Sequence, residues 1–356
     1  MQNQQYLLAL HTIDGLGPIR LKAIIDYFKD PEIAWNAPVS EFTQIGIPST
    51  VVDKLVALRK TFNIDEYLKE LERKNINWVT IFDPKYPYLL SQIYDPPTVL
   101  YFKGTLNFTQ NTIAVVGTRK ITGYGQMVTK EFSEGLAKSG VIVVSGLARG
   151  VDTVAHRSTL VVHGITIAVL GGGLDKIFPP ENESLAKEII EKGGAVISEF
   201  PPHYPSLPGN FPARNRIISG LSKAVLVTEA ALDSGSLITA RLALEQGRDV
   251  FAVPGPINSS LSSGPIDLIK DGARIATGFK DILDELGISS STKVIINIQD
   301  LKEEEKRVYE LLENGSLHID EIGRNLNLPA SQISGLLLKM EISGILKSLG
   351  NGIYSR

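Results

Sequence analysis

The stretch 211–255, FPARNRIISGLSKAVLVTEAALDSGSLITARLALEQGRDVFAVPG, decides the fold. Its run AVLVTE (224–229) is unbroken, apolar and β-branched up to Glu229, which reads as a strand buried on both faces. Ser234-Gly235-Ser236 then opens a helix, and Gly247-Arg248 turns into a second strand that stops at Pro254-Gly255. A strand that ends in small, donor-rich residues before a helix presents backbone N–H groups at the positive end of the helix dipole. Such a mouth favours an anionic ligand, most simply a phosphate.

The same rhythm runs outward from this stretch. Apolar runs recur as IAVVG (113–117), VIVVSG (141–146), TIAVLG (166–171), AVISE (195–199) and DVFAVPG (249–255). Helical stretches at 125–138, 151–162, 183–192, 214–222 and 236–246 separate them. This alternation predicts an α/β domain over 111–287, a doubly wound, mostly parallel sheet with helices on both faces. Ligands of such sheets sit at the carboxyl ends of the strands. Every unusual motif in this chain falls at one of those ends.

The flanks differ. Residues 1–80 read as helical: Leu21, Ile24, Ile25 and Phe28 follow Gly15-Leu16-Gly17-Pro18 at helical spacing. That corner resembles a helix-hairpin-helix (or SAM-like) element, whose backbone N–H groups can touch a DNA phosphate; a plain helix-turn-helix corner explains the same residues. Residues 81–110, rich in Pro and Tyr, read as a connector packed on the next domain. A linker is expected over 288–299. Residues 300–356 give three helical segments and a hairpin turning at Gly350-Asn351-Gly352, the pattern of a winged helix.

Composition bounds the function. The 356 residues contain no cysteine, which excludes disulfides and thiolate metal sites. Five scattered histidines lack the spacing of a zinc site, and no metal is assigned. Without a signal peptide or a long apolar segment, a cytoplasmic protein is expected. The formal charge of −3 is a poor global signature for a nucleic-acid binder. Only residues 111–280 lean basic, with 17 Lys and Arg against 15 Asp and Glu. A nucleic-acid site must therefore be a focused patch.

The strand ends supply that patch. Gly117-Thr118-Arg119 closes the first run, where glycine permits close backbone approach and arginine grips a phosphate with its planar fork. Ser145-Gly146 and Arg149-Gly150 form a nest of N–H groups, with Asp152 read as the cap of the next helix. His156, one turn further on, offers a His–Asp general base, but helical proximity favours a structural contact. Neither GxxxxGK[ST] nor GxGxxG occurs, so ATP hydrolysis, nicotinamide chemistry and a cofactor find no support. Glu199 and Glu229 end strands; a carboxylate there can act as a base or hold a metal, or accept loop N–H groups and pin the loops, the reading favoured here. Phe211, Arg214, Asn215 and Arg216 suit an unpaired nucleic-acid strand: arginines for phosphates or base faces, the ring for a base. Gly235 and Ser236 complete the patch.

Taken in order, GTRKITGYG (117–125), SGLARGVDTVAH (145–156), AVLGGGLDKIFPPEN (168–182), ISEFP (197–201), FPARNRIISGLS (211–222), EAALDSGSLITA (229–240) and GRDVFAVPG (247–255) make the chain resemble the DNA-processing protein A (DprA, or Smf) family. The resemblance covers the whole chain. It implies an extended Rossmann-like domain, no enzymatic activity, and a single-stranded DNA-binding role in natural transformation and recombination. It also implies protection of incoming strands, help in loading the RecA recombinase, and a homodimer formed within residues 250–285. The DNA role passes by resemblance to Arg119, Ser145, Gly146, Gly150, Phe211, Arg214, Asn215 and Arg216. Relatives often carry a basic residue shortly before the phenylalanine, but Ser206–Asn210 here has none; either one phosphate contact is missing or Lys176 or Arg149 replaces it. The rival reading is a phosphoribohydrolase-like enzyme. The PGGxGTxxE loop of such enzymes is absent, SGSLITA standing in its place. In the winged helix, 330–343 carries only Lys339 and Glu341 as charges, which favours a protein-interaction or inhibitory role over duplex reading.

Overall fold

The structure, a computed structural model, describes residues 3–106, 108, 111–288, 301–342 and 345–356. The linker expected over 288–299 lies outside the described residues, apart from Ile288. Two compact units result: the larger, Met1–Ala137 with Val141–Ser289, and the smaller, Ser290–Arg356 with Lys138–Gly140.

The larger unit opens with six helices: α1 (Gln4–His11), α2 (Pro18–Phe28), α3 (Pro31–Asn36), α4 (Val39–Gln44), α5 (Ser49–Thr61) and α6 (Ile64–Arg73). Pro18 and Pro31 each sit at a helix start, where a missing N–H costs nothing. The apolar faces of these helices do not close on themselves. Leu7, Leu10, Leu21 and Leu55 share one cluster with Tyr101, Leu147, Leu170 and Leu185 of the sheet and its helices.

The sheet has nine strands: β1 (Asn77–Thr80), β2 (Val99–Gly104), β3 (Thr112–Val116), β4 (Ile142–Ser145), β5 (Thr166–Leu170), β6 (Ala195–Ser198), β7 (Ala224–Val227), β8 (Asp249–Ala252) and β9 (Arg274–Ile275). Their order is β1-β2-β6-β5-β4-β3-β7-β8-β9. The six strands read from apolar runs are all present, and every pair from β6 across to β9 is parallel. Both faces of β3 are covered, Ala114 and Val116 on one side, Ile113 and Val115 on the other. That double burial explains why these strands lack polar alternation.

Two strands come from residues not expected to form any: β1 from the end of the 1–80 stretch read as helical, and β2 from the 81–110 connector. β2 pairs antiparallel with β6, Tyr101 opposite Ser198, and β1 pairs antiparallel with β2, Trp78 opposite Tyr101. The connector thus adds β2 to the sheet instead of only packing on it, and the stretch read as helical ends in β1, whose Trp78 and Val79 pair across to β2. The short helix α7 (Tyr88–Ser91) lies between them in the chain. Further helices are α8 (Gly123–Lys138), α9 (Val151–Val161), α10 (Glu183–Glu191), α11 (Asn210–Gly220), α12 (Gly235–Glu245), α13 (Ser263–Lys270) and α14 (Phe279–Glu285).

The smaller unit comprises α15 (Glu303–Leu311), α16 (Ile319–Leu326), α17 (Ala330–Ile342) and three strands, β10 (Leu317–His318), β11 (Lys347–Gly350) and β12 (Ile353–Ser355), in the order β10-β12-β11. This is the expected winged helix, packed around Val308, Ile322, Ile333, Leu337 and Met340. Among the described residues no helix is long and apolar enough to cross a membrane.

Candidate nucleic-acid interface

The chain runs from β3 outward to β6 and then returns to the far side of β3 as β7. The crevice between the ends of β3 and β7 is the topological switch point, where sheets of this class hold ligands. A cleft of about 760 Å³ opens there.

The loop after β3 is held from below. Glu229, buried at the end of β7, accepts hydrogen bonds from the Thr122 N–H (3.0 Å) and hydroxyl (2.5 Å), and its own carbonyl receives the Thr118 N–H at 2.7 Å. These bonds fix Gly117–Thr122 and leave Arg119 and Lys120 exposed above it. A Cβ on Gly117 would overlap Val151 and one on Gly150 would overlap the Thr118 carbonyl, so the two loops approach as closely as backbone allows.

Asp152 has a different task from the one its sequence position suggests. Gly150 occupies the N-cap position of α9, and the buried Asp152 carboxylate reaches back to the N–H groups of Gly146 (3.1 Å) and Ala148 (3.2 Å). It ties down the loop after β4, and burial raises its pKa despite the nearby Arg214. His156 is fully buried and pairs through Nδ1 with the Thr166 hydroxyl at 2.7 Å. Burial lowers its pKa to about 3, so it is neutral and structural.

α11 decides which side chains reach the cleft. Residues 211, 214, 215 and 218 recur at the spacing of one helical face, and Phe211, Arg214, Asn215 and Ile218 all line it. Two guanidiniums approach Phe211: the Cζ of Arg119 lies 5.4 Å and that of Arg214 5.9 Å from its ring centroid. Phe178 meets the same ring at 5.9 Å. Arg214 is 4% exposed and donates through Nη1 to the carbonyls of Gly146 (2.6 Å) and Val169 (2.5 Å). Its buried Nε has no partner. Burial lowers its pKa to about 10, aided by Arg119, so it stays charged at neutral pH. Asn215 donates to the Gly235 carbonyl at 3.2 Å, and the Ser234 hydroxyl caps α12 by accepting from the Ser236 N–H at 3.4 Å.

Arg216 points elsewhere. It is buried, donating to Asp95 at 2.9 Å and to Glu199 at 2.7 Å. Glu199 is thereby engaged, although burial still raises its pKa overall.

The structure therefore gathers Gly117, Arg119, Phe211, Arg214, Asn215, Gly235 and Ser236 around one cleft. Ser145, Gly146 and Gly150 build the loop behind it, with the Ser145 hydroxyl bonded to the Val115 carbonyl at 2.7 Å. Arg149 is exposed outside the lining and ion-paired with Glu181; Lys176 is exposed on the loop after β5. Sequence reasoning missed Lys120 and Phe178, which line the cleft. Lys120 directly follows Arg119 at a strand end, and that adjacency was the available signal. Among the described residues, the grouping of histidine and carboxylates that suits a metal is Glu70, Asp175 and His203. The Lys74 ammonium already fills it, 2.8 Å from Glu70 and 2.7 Å from Asp175.

Comparison with known proteins shows the family. Residues 77–287 match the family model of DNA recombination-mediator protein A, and residues 297–352 match the DprA winged helix domain. Protein Smf of Escherichia coli is 42% identical over 350 residues, 94% of each chain. DNA processing protein A from Streptococcus pneumoniae has a similar structure (TM-score 0.70, 36% identity), aligned over 80% of this chain and 99% of that one. DNA processing protein A from Helicobacter pylori, described for its single-stranded DNA binding mode, aligns over 59% of this chain and 95% of that one (TM-score 0.54, 32% identity). The chain is a member of the DprA/Smf family of DNA-processing proteins, mediators of DNA recombination.

Proposed function

We propose that this chain binds single-stranded DNA in the switch-point cleft and holds it without breaking a bond. The observation that carries this reading is the exposed Arg119 guanidinium poised over Phe211, beside loops whose backbones are fixed at the strand ends. Phosphates meet Arg119 and Lys120 near the start of α12, and a base lies against the Phe211 and Phe178 rings. A duplex, its bases stacked inward, offers no base face to those rings. The Helicobacter pylori relative's single-stranded DNA binding supports the same use here. Arg214 serves as a buried positive charge under the floor, and Arg216 holds α11 in place.

The absence of chemistry belongs to the same reading. Glu229 is committed to Thr122 and Glu199 to Arg216, so neither carboxylate is free to act as a base. The protein works in the cytoplasm, protecting incoming strands during natural transformation and helping to load RecA on them. It acts as a homodimer joined within residues 250–285, where β9 leaves a sheet edge open and Ile257 (95%) and Ile275 (53%) are exposed.

Titration of labelled oligothymidylate against duplex of equal length, at several salt concentrations, tests the reading. Preference for the single strand, with affinity falling steeply in salt, is expected. Equal or tighter duplex binding overturns it, and release of free base from nucleoside monophosphates would replace it with the enzymatic reading.

A further inference from the structure

A second cleft, of about 640 Å³, lies on the other side of α11. Residues 210, 213 and 216 recur at the spacing of a single helical face, and all three line it, as 211, 214 and 215 line the first. The first turn of α11 is thus the partition between two neighbouring clefts. Its far wall is the corner between α1 and α2, Gly15-Leu16-Gly17 with Arg20.

The chemistry of this cleft suits nucleotides. Phe200 and Tyr204 line it as a stacked pair, ring centroids 5.0 Å apart and planes 20° apart. Across from them α2 begins at Pro18, and its N-cap Gly17 has no side chain to cover the first N–H groups. Arg20 is exposed, and its Nη1 donates to the Gly15 carbonyl at 2.7 Å, which steadies the corner. The acidic groups of the cleft are already matched. Asp14 pairs with Lys54 at 2.7 Å, and Asp95 and Glu199 share Arg216. His11 is neutral, its pKa lowered to about 4 by burial. A phosphate therefore meets Arg20 and amide groups without an unpaired carboxylate opposing it.

We propose that this second cleft takes further nucleotides of the strand held in the first, a base lying on the Phe200–Tyr204 pair and a phosphate meeting Arg20 and the Gly15–Gly17 corner. The strand crosses from one cleft to the other over the first turn of α11. This rests on the reading that the first cleft holds single-stranded DNA.

The two can be tested separately in the full chain with oligothymidylates of about four and about fifteen nucleotides. The short probe fills the first cleft, and the long one reaches both. Tyr204→Ala should bind the short probe like the unmodified protein and the long probe roughly five- to a hundredfold more weakly. Tyr204→Phe, which keeps the ring, should restore long-probe affinity. Arg20→Ala should lower the salt slope for the long probe by about 0.7 and leave the short probe unchanged. Long-probe affinity and salt slope unchanged in both alanine variants, with their unfolding temperatures also unchanged, overturn this second subsite while leaving the first intact. An unmodified protein that binds neither probe overturns the first reading, and this one with it.

Discussion

The switch-point cleft and α17 of the winged helix are both places where proteins commonly meet nucleic acid, and they are built in opposite ways. The cleft sets exposed Arg119 and Lys120 on a loop anchored by Glu229, above a buried Arg214. α17 spends Ile333, Leu337 and Met340 on its own core, and its lysine, Lys339, is paired with Glu305 at 2.6 Å. Ser334 turns its hydroxyl back to the Ala330 carbonyl at 2.8 Å. On the proposed reading, affinity for a polyanion comes from a few fixed donors at strand ends, which is how a chain of net charge −3 carries such a site.

Four substitutions press on this contrast. At neutral pH the largest effect is expected from Arg214→Ala, which leaves Asp152 buried without its positive neighbour and strips two carbonyls of their donor. The cost is about 3 kcal/mol of stability by denaturant titration. A fully stable variant that has lost DNA binding would instead place Arg214 among the strand's direct contacts. Arg119→Ala should leave the unfolding temperature alone and weaken oligothymidylate binding by about 2 kcal/mol; unchanged affinity at moderate salt removes Arg119 from the interface. His156→Gln addresses the scaffold behind the cleft. The folded-state pKa of His156 is depressed to about 3 from 6.5, so its neutral form is stable above pH 6.5 and folding loses free energy as pH falls toward 3. In that window the unmodified protein should lose stability relative to the variant by about 1.4 kcal/mol per pH unit. A flat difference between the two curves argues against a buried neutral imidazole. Lys339→Ala, removing the partner of a buried Glu305 that still accepts the Lys302 N–H, should cost about 1 kcal/mol and leave the salt slope for single strands untouched. A reduced slope would bring α17 into the interface.

Much of this was legible before any coordinates. The six central strands announced themselves because burial on both faces demands unbroken apolar runs such as IAVV and AVLV. β1 was hidden because Asn77–Thr80 is a short run at the end of a stretch read as helical, and β2 because TVLYFKG lies among prolines and tyrosines, where the same residues read as packing. The site was half legible. Strand ends fixed the places of Arg119, Ser145, Gly146 and Gly235, because loops there are short. The direction of side chains on α11 was readable but unread. Residues two apart on a helix point to nearly opposite sides, so Arg214 and Arg216 cannot serve one surface. Asp152 misled for a related reason. Its carboxylate follows the loop it closes, and chain position alone does not distinguish a cap from a clasp folded backward.

The antiparallel ladder of β1 and β2 bears on how such a chain can be inherited. The six leading helices cover Leu147, Leu170 and Leu185 and are joined to the sheet through those two strands. They are not a detachable cassette. A lineage that sheds them exposes a greasy underside and must repaint it with polar residues in the same evolutionary step, and one that borrows them must borrow the ladder too.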